Sequence, residues 1–244
     1  MPQKPKTLLV IPAYNEQKTL PDVLRQVRAV LPDLDVLVVD DGSSDRTARL
    51  AREARVQVLS HPFNMGYGVA VQTGFKAAFE RGYERVAQMD GDGQHDPNDL
   101  PKLLGALDES DTDLVLGSRY LGRANYRIPL VRKLGMKIFA ALASAMIGQK
   151  ITDPTTGYQA FTRRVLGFFC SDLYPVDYPD ADLLIMVHYR RLRIREVPVT
   201  MGPNPEQRSM HSGILRPMYY VFKMFLSIAV TRLRKRDLEE RRIR

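Results

Sequence analysis

Arg85-Val-Ala-Gln-Met-Asp-Gly-Asp-Gly-Gln-His-Asp96 joins a short apolar run to a cluster of acids and glycines without a break. The run Arg85–Met89 is too short for a helix and reads as a buried strand. The same arrangement occurs twice upstream. Thr7–Ile11 runs into Pro12-Ala13-Tyr14-Asn15-Glu16, and Val36–Val39 runs into Asp40-Asp41-Gly42-Ser43. Downstream, Asp113–Gly117 runs into Ser118-Arg119-Tyr120. Helical spacing fills the gaps: Leu20, Val23, Leu24, Val27 and Leu31 after the first strand, Gly66 to Gly82 after a third strand at Val56–Leu59, and Leu100–Leu107 before the fifth. Ser44 or Asp45 is placed to cap the helix after the second strand. Apolar strands alternating with helices predict an α/β fold, Rossmann-like, with a mostly parallel central sheet and helices on both faces. Ligands of such sheets bind beyond the carboxyl ends of the strands, where all of these polar clusters fall.

The second half is less regular. Ile128–Gly148 begins basic and ends apolar, Thr152–Phe161 reads as a turn entering a strand, and Pro179–Arg190 reads as a helix carrying Asp180 and Asp182. Ile194–Val199 is a strand, Met201–Gly213 a polar loop, and Ile214–Leu233 a long amphipathic helix. The reading gives a catalytic domain over 1–213, with an interface segment at 128–148, followed by the helix and a basic tail over 214–244.

Composition narrows the chemistry. The chain has 244 residues, is 44% hydrophobic and 26% charged, and carries a net charge of +8. Those proportions are globular. The single Cys170 excludes a disulfide framework and a cysteine-rich zinc site, and the apolar stretch around it makes it a core residue. Leu8–Ile11 is too short for a signal-peptide core, and no window offers about 18 uncharged apolar residues for a spanning helix. The predicted location is therefore cytoplasmic. The +8 admits nucleic acid, an anionic membrane or phosphorylated ligands. Residues Arg232 to Arg244 hold seven basic and three acidic side chains, half of the net charge.

Asp90 and Asp92, two residues apart in extended chain, face the same way. With phosphate oxygens and water, such a pair suits a hard divalent cation, Mg²⁺ or Mn²⁺, although D-x-D alone also describes a solvated turn. A calcium loop would need Glu at its twelfth position, where Pro101 stands. Asp40 and Asp41 are placed either to bond a base or ribose or to sit at a helix N-terminus. Asn64-Met65-Gly66-Tyr67-Gly68 opens a helix, which fits a phosphate or a turn needing positive φ, and it is no P-loop. Of the four histidines only His95 lies beside the acidic cluster, in a supporting position. No Gly-x-Ser-x-Gly elbow points to hydrolysis.

In this order, the motifs Pro12–Glu16, Val39–Ser43, Asp90–His95 and Gly117–Tyr120 resemble family 2 glycosyltransferases of the GT-A fold. They are most similar to the dolichol- and polyprenyl-phosphate sugar synthases, with Asp153 to Phe161 and Arg208-Ser209 resembling the acceptor turn and the mobile basic loop. The resemblance implies that Pro12, Ala13, Tyr14, Glu16 and Asp41, with Asn64 and Gly68, hold the nucleoside of a nucleotide sugar. It implies that Asp90, Asp92 and Gln94 hold the metal and diphosphate. Arg119, Arg132 and Arg208 would meet phosphates of donor or acceptor, Arg132 on the acceptor side, and Asp153 joins Asp92, Arg119 and Arg208 as a catalytic candidate. Two departures stand out: Tyr67 where many relatives carry Lys, and Ser-Met-His-Ser-Gly after Arg208 in place of Gly-x-Ser-Lys.

The implied reaction is metal-dependent, inverting transfer of a hexose from a UDP- or GDP-sugar to a polyprenyl or dolichyl phosphate. A rival acceptor, a sugar hydroxyl of a glycolipid or polysaccharide precursor, would need a general base, with Asp153 or Asp182 as candidates. A nucleotidyltransferase lacks its basic glycine-rich N-terminal loop in Pro12–Glu16. On the Arg216–Arg234 helix, Arg216, Tyr220, Lys223, Ser227, Thr231 and Arg234 fall on one side, and Met218, Val221, Phe222, Phe225, Ile228 and Ala229 on the other. With the basic tail, this predicts a peripheral enzyme on the inner membrane face, touching lipid through 128–148 and 214–236. Room remains for a membrane-embedded partner protein, and nucleic acid is not expected.

Overall fold

The computed structural model describes residues 6–109, 111–122, 130–175, 177, 180–203 and 215–240, with backbone alone for 130–135, 215–221, 237 and 239–240. The strands are β1 (Thr7–Ala13), β2 (Asp35–Asp40), β3 (Gln57–Ser60), β4 (Arg85–Gln88), β5 (Leu114–Ser118), β6 (Gln159–Thr162) and β7 (Ile194–Pro198). The helices are α1 (Leu20–Val30), α2 (Thr47–Glu53), α3 (Tyr67–Glu80), α4 (Leu100–Asp108), α5 (Leu130–Ile147), α6 (Arg163–Phe169), α7 (Ala181–Tyr189), α8 (Leu215–Leu233) and α9 (Lys235–Glu240).

The strands form one sheet in the order β3-β2-β1-β4-β6-β5-β7. β3, β2, β1 and β4 are mutually parallel, as are β5 and β7. β6 alone runs antiparallel, between β4 and β5. The expected mostly parallel sheet is present, and β6 is its exception. The strand cores are apolar on both sides because both faces are covered. Leu8, Val10, Leu37 and Val39 pack under α3, α5, α6 and α7, while Leu9, Ile11 and Val38 pack under α1, α2 and α4.

Three expectations are refined. Asp45 receives the Thr47 N–H at 2.8 Å, but the helix begins at Thr47, with Arg46 as its flanking residue. The stretch before Cys170 forms α6, and the basic tail begins with the short α9. Cys170 is half-buried, and burial pushes its thiol up to about 11.

α8 lies against α7. Ser227 bonds the Asp182 carboxylate, Lys223 pairs with Asp177, and Thr231 is buried with Met224 and Ile228. The apolar side chains Phe222, Phe225, Leu226, Val230 and Leu233 point outward, from 37% to 86% exposed. From the expected polar side Lys223, Ser227 and Thr231 face the protein while Arg234 is exposed, and from the expected apolar side Ile228 packs inward. Ser227 gives the buried Asp182 a hydroxyl partner. No helix of the described residues is long and apolar enough to cross a membrane.

α3 approaches β1 closely at Gly74, where a Cβ would stand 2.3 Å from Val10 Cγ1 and 3.2 Å from Val39 Cγ2. Alanine favours a helix over glycine by about 1 kcal/mol, but overpacking a rigid core costs about 1–3 kcal/mol. Gly74→Ala is therefore expected to lower stability in urea unfolding at an unchanged m-value. A raised midpoint would show that helix and sheet can separate without loss.

Candidate active site

The loops leaving β1, β2 and β4 meet at one end of the sheet. Parallel pairing puts their polar residues side by side, and short bonds lace them together. Asp41 N donates to Ala13 O at 2.9 Å, Asn15 N to Ser43 Oγ at 2.9 Å, and Glu16 N to Thr47 Oγ1 at 2.8 Å. Asn15 takes a left-handed conformation, φ 56°, which its side chain supports by accepting from Ser44 N at 2.9 Å. The Thr19 hydroxyl lies 2.7 Å from Glu16 Oε2 and 3.0 Å from Gly91 O, joining the first loop to the third. Pro12 and Ala13 are buried at this edge, and the Tyr14 ring is 47% exposed at its mouth.

Asp41 was expected to face a nucleoside. Its carboxylate braces the neighbouring loop instead: Oδ1 accepts from Met65 N at 2.9 Å and meets His61 Nδ1 at 2.7 Å, and Oδ2 accepts from Gly66 N at 2.9 Å. Exposed Asn64 is presented by that loop. The Gly68 N–H, expected near the donor, is taken by Asp177 O at 2.9 Å.

Asp90 sits at the end of β4 with 27% of its side chain exposed. Its Oδ1 accepts from the Tyr67 hydroxyl at 2.8 Å. Gln88 Nε2 donates to that hydroxyl oxygen at 2.8 Å, and Gln159 Nε2 donates to Gln88 Oε1 at 2.7 Å. A chain of donors thus runs from β6 through β4 and α3 to one carboxylate oxygen. Gly157 makes room for it, since a Cβ there would lie 2.6 Å from the Tyr67 hydroxyl and 3.1 Å from Asp90 Oδ2. Tyr67, noted above as a departure from the family pattern, is turned towards Asp90. Burial, then the adjacent Asp90 charge, pushes its phenol well above the ordinary range, so it stays a donor.

Burial raises the Asp90 carboxyl above its usual value, opposed by the Tyr67 bond and the charge of Arg119. Burial raises Asp92 too, and the Asp90 charge raises it further. Two recessed carboxylates that repel each other are what a divalent cation relieves. His95 Nδ1 accepts from Asp90 N at 3.1 Å, which puts its proton on Nε2. Burial pushes this imidazole down to about 4 against the pull of Asp92, so it is neutral at pH 7. The ring stacks on Tyr158 at 4.7 Å, which fits the supporting position expected for it. Gln94 N donates to Asp92 Oδ1 at 2.9 Å, and Gln94 Nε2 to Gly202 O at 3.2 Å. Among the described residues no group of three or more His, Cys, Asp or Glu is placed to hold a metal.

Arg119 follows β5, and its Nε donates to Asp153 Oδ2 at 2.6 Å while its backbone N donates to the same oxygen at 3.1 Å. Asp153 has no exposed surface. Its own N–H and that of Thr152 donate to Glu196 on β7, at 2.9 Å and 2.8 Å. Asp153, expected as a catalytic carboxylate, is therefore the counter-ion that orients Arg119. Asp182 is bonded to Ser227, and burial raises its carboxyl. The Arg132 side chain and the whole of Arg208 lie outside the described residues.

Gln88, Gln159, Gly157 and Glu196 were not singled out by the sequence, and Tyr67 stood out only as a departure from the family pattern. The available signal was polarity in the wrong place. Gln88 and Gln159 interrupt buried strand runs, and a buried amide needs partners.

The model of the family described as glycosyl transferase family 2 matches residues 8–168. Polyprenol monophosphomannose synthase of Mycolicibacterium smegmatis is 36% identical over 219 residues, covering 85% of this chain and 82% of that protein. Undecaprenyl-phosphate mannosyltransferase of Micrococcus luteus is 35% identical over 218 residues, covering 85% and 88%. Among solved structures, glucosyl-3-phosphoglycerate synthase from Mycobacterium tuberculosis, crystallised with Mn²⁺ and UDP-glucose, superposes with a TM-score of 0.69 at 22% identity, covering 93% of this chain and 79% of that one. At that identity the likeness is one of fold.

The donor chain makes a stability prediction. Tyr67→Phe leaves the Gln88 amide without its acceptor and should lower folding stability by about 1–3 kcal/mol in chemical unfolding. An unchanged midpoint would mean that water replaces the hydroxyl at no cost.

Proposed function

The chain belongs to glycosyl transferase family 2 and is a glycosyltransferase, and we propose that it transfers a hexose from a UDP- or GDP-sugar to a polyprenyl phosphate, with inversion. One observation carries the choice of a phosphate acceptor. The two carboxylates weighed as a general base, Asp153 and Asp182, are buried, and one oxygen of each is taken, by Arg119 and by Ser227. A phosphate oxygen is already anionic and needs no base, whereas a sugar hydroxyl does. The similarity to a polyprenol monophosphomannose synthase and to an undecaprenyl-phosphate mannosyltransferase supports the same reading.

Each part of the site then has a task. The edge formed by Pro12, Ala13, Tyr14, Glu16 and Asp41, with Asn64 and Gly68 beside it, receives the nucleoside; Asp41 acts largely through the loop it braces. Asp90, Asp92 and the Oε1 of Gln94 are hard oxygen donors that fit Mg²⁺ or Mn²⁺, and burial, which raises both carboxyls, leaves the two acids short of the solvation that a cation would replace. When bound, such a cation neutralises charge on the diphosphate. Tyr67 holds Asp90 in one orientation. Arg119, fixed by Asp153, stabilises phosphate charge as the C1–O bond to the leaving nucleoside diphosphate breaks. The acceptor phosphate oxygen forms the new bond to C1 from the opposite face, and the departing diphosphate keeps the electron pair. Arg132 and Arg208 are assigned to acceptor and donor phosphates.

The enzyme is proposed to lie on the inner face of a membrane, touching lipid through 128–148 and 214–236, with a membrane-embedded partner protein compatible with that placement. The outward stripe of Phe222, Phe225, Leu226, Val230 and Leu233 supports this. The domain division, 1–213 for catalysis and 214–244 for attachment, follows the same logic.

The test is label transfer from UDP- and GDP-sugars to polyprenyl phosphate in detergent with Mn²⁺ or Mg²⁺. Label should enter the lipid fraction, EDTA should abolish it, and Asp92→Asn should reduce it by roughly two orders of magnitude or more with the fold intact. Full transfer by Asp92→Asn under excess metal would remove the metal role. Label appearing only on sugar hydroxyls would favour the rival acceptor.

A further inference from the structure

A cavity of about 1070 Å³ opens at the end of the sheet away from Asp90 and Asp92. Thr112 precedes β5, Arg193 precedes β7, and the C-terminal turns of α5 and α7 close two of its sides. The start of α9 completes it, through Lys235. Among the described residues its lining carries Arg191, Arg193, Arg195, Arg232 and Lys235 and no carboxylate, and its apolar wall includes Leu142 and Met146. Asp111 pairs with Arg193 at 2.7 Å and Glu109 with Arg195 at 3.1 Å, both at exposed positions. Exposed pairs of this kind are weak and exchange readily. The carbonyl ends of α5 and α7 offset part of the positive charge, and Lys235 also lies over the Tyr189 ring at 5.4 Å, but among the described residues the four arginines outnumber the two rim acids and leave the cavity a net attractor of anions.

The donor site has no use for this cavity, which lies at the other end of the strands. A small free anion would not need its apolar wall. Arg232 and Lys235 flank Leu233, the last residue of the outward apolar stripe of α8, which is 86% exposed. A ligand that fits both surfaces has an anionic head and an acyl chain.

We propose that this cavity binds the phosphate headgroup of an anionic membrane phospholipid, as a second lipid site separate from the acceptor site. It rests on the membrane reading of the α8 stripe. In this arrangement the stripe supplies attachment to any bilayer, while the cavity supplies selectivity for anionic lipid and fixes how the protein is turned on the surface.

Flotation of the full chain with phosphatidylcholine vesicles, and with vesicles in which part of that lipid is phosphatidylglycerol, separates the two claims. The wild type should bind the anionic vesicles about tenfold more tightly or better, on the usual contribution of each surface cation. Arg191→Glu with Arg232→Glu should abolish that preference while binding to neutral vesicles and sugar transfer in detergent are kept. Arg234→Glu with Arg236→Glu, an equal change of charge on neighbouring residues that do not line the cavity, should keep most of the preference. The paired Arg→Gln variants, with thermal unfolding of each, guard against misfolding. Phe222→Ser with Leu226→Ser should weaken both vesicle types, and failure of that result alone would overturn the stripe reading. Equal losses from the two arginine pairs would mean diffuse surface charge and overturn the proposal. Thermal stabilisation by inorganic phosphate through Arg191 and Arg232 without any vesicle preference would assign the cavity to free phosphate and overturn it too. A solution dimer that no longer binds vesicles would make a second copy of the chain the occupant of the stripe, with the same consequence.

Discussion

Two carboxylates recessed at the end of one strand set the terms for the residues around them. Removing Asp90 and Asp92 from water raises both their pKa values, and their mutual repulsion adds to the rise for Asp92. The surrounding structure answers in three ways. The Tyr67–Gln88–Gln159 chain delivers a donor to Asp90 from α3, backed by β4 and β6. His95 is kept neutral, so its acceptor nitrogen takes the backbone N–H of Asp90 and fixes the turn. Arg119 brings positive charge close to Asp90 but is itself anchored by Asp153. One face of Asp90 stays open, and on the proposed function that is where the cation and diphosphate enter.

Arg119 and Asp153 show why a charged residue's type says little about its job. A buried ion pair contributes little net stability, but it holds a guanidinium in one orientation. Glu196 extends the arrangement by accepting from the backbone of Thr152 and Asp153. The 152–153 turn is therefore braced from β7. α8 follows the same logic at larger scale. Its hydroxyl and lysine stripe is committed to Asp182 and Asp177, so its apolar stripe has nowhere to point but outward.

Much of the fold was legible because its signals are local. The runs at 7–11, 36–39, 85–89 and 113–117, and the helical spacing between them, fall within a residue or two of the strands and helices observed. The acids, glycines and Arg119 gather at one edge because parallel pairing of β1, β2 and β4 requires it. The site was legible as a set of residues but only partly as a set of contacts. Asp41 was placed correctly at the edge, yet its carboxylate turns to the 61–66 loop. Tyr67 looked like a departure on the donor side and proved to be the partner of Asp90.

The sequence by itself determined the order of the strands and of the longer helices, the family, and which clusters stand at the carboxyl ends of the strands. Those follow from periodicity and turn chemistry over ten or twenty residues. Only the tertiary structure decided that β6 runs antiparallel between β4 and β5, which carries Gln159 and Gly157 to Tyr67. Only it decided that Asp153 is a counter-ion and that α8 turns its oily side away from the domain. These outcomes depend on which distant segments meet, and a buried charge or hydroxyl is satisfied by whatever partner the packing brings within reach.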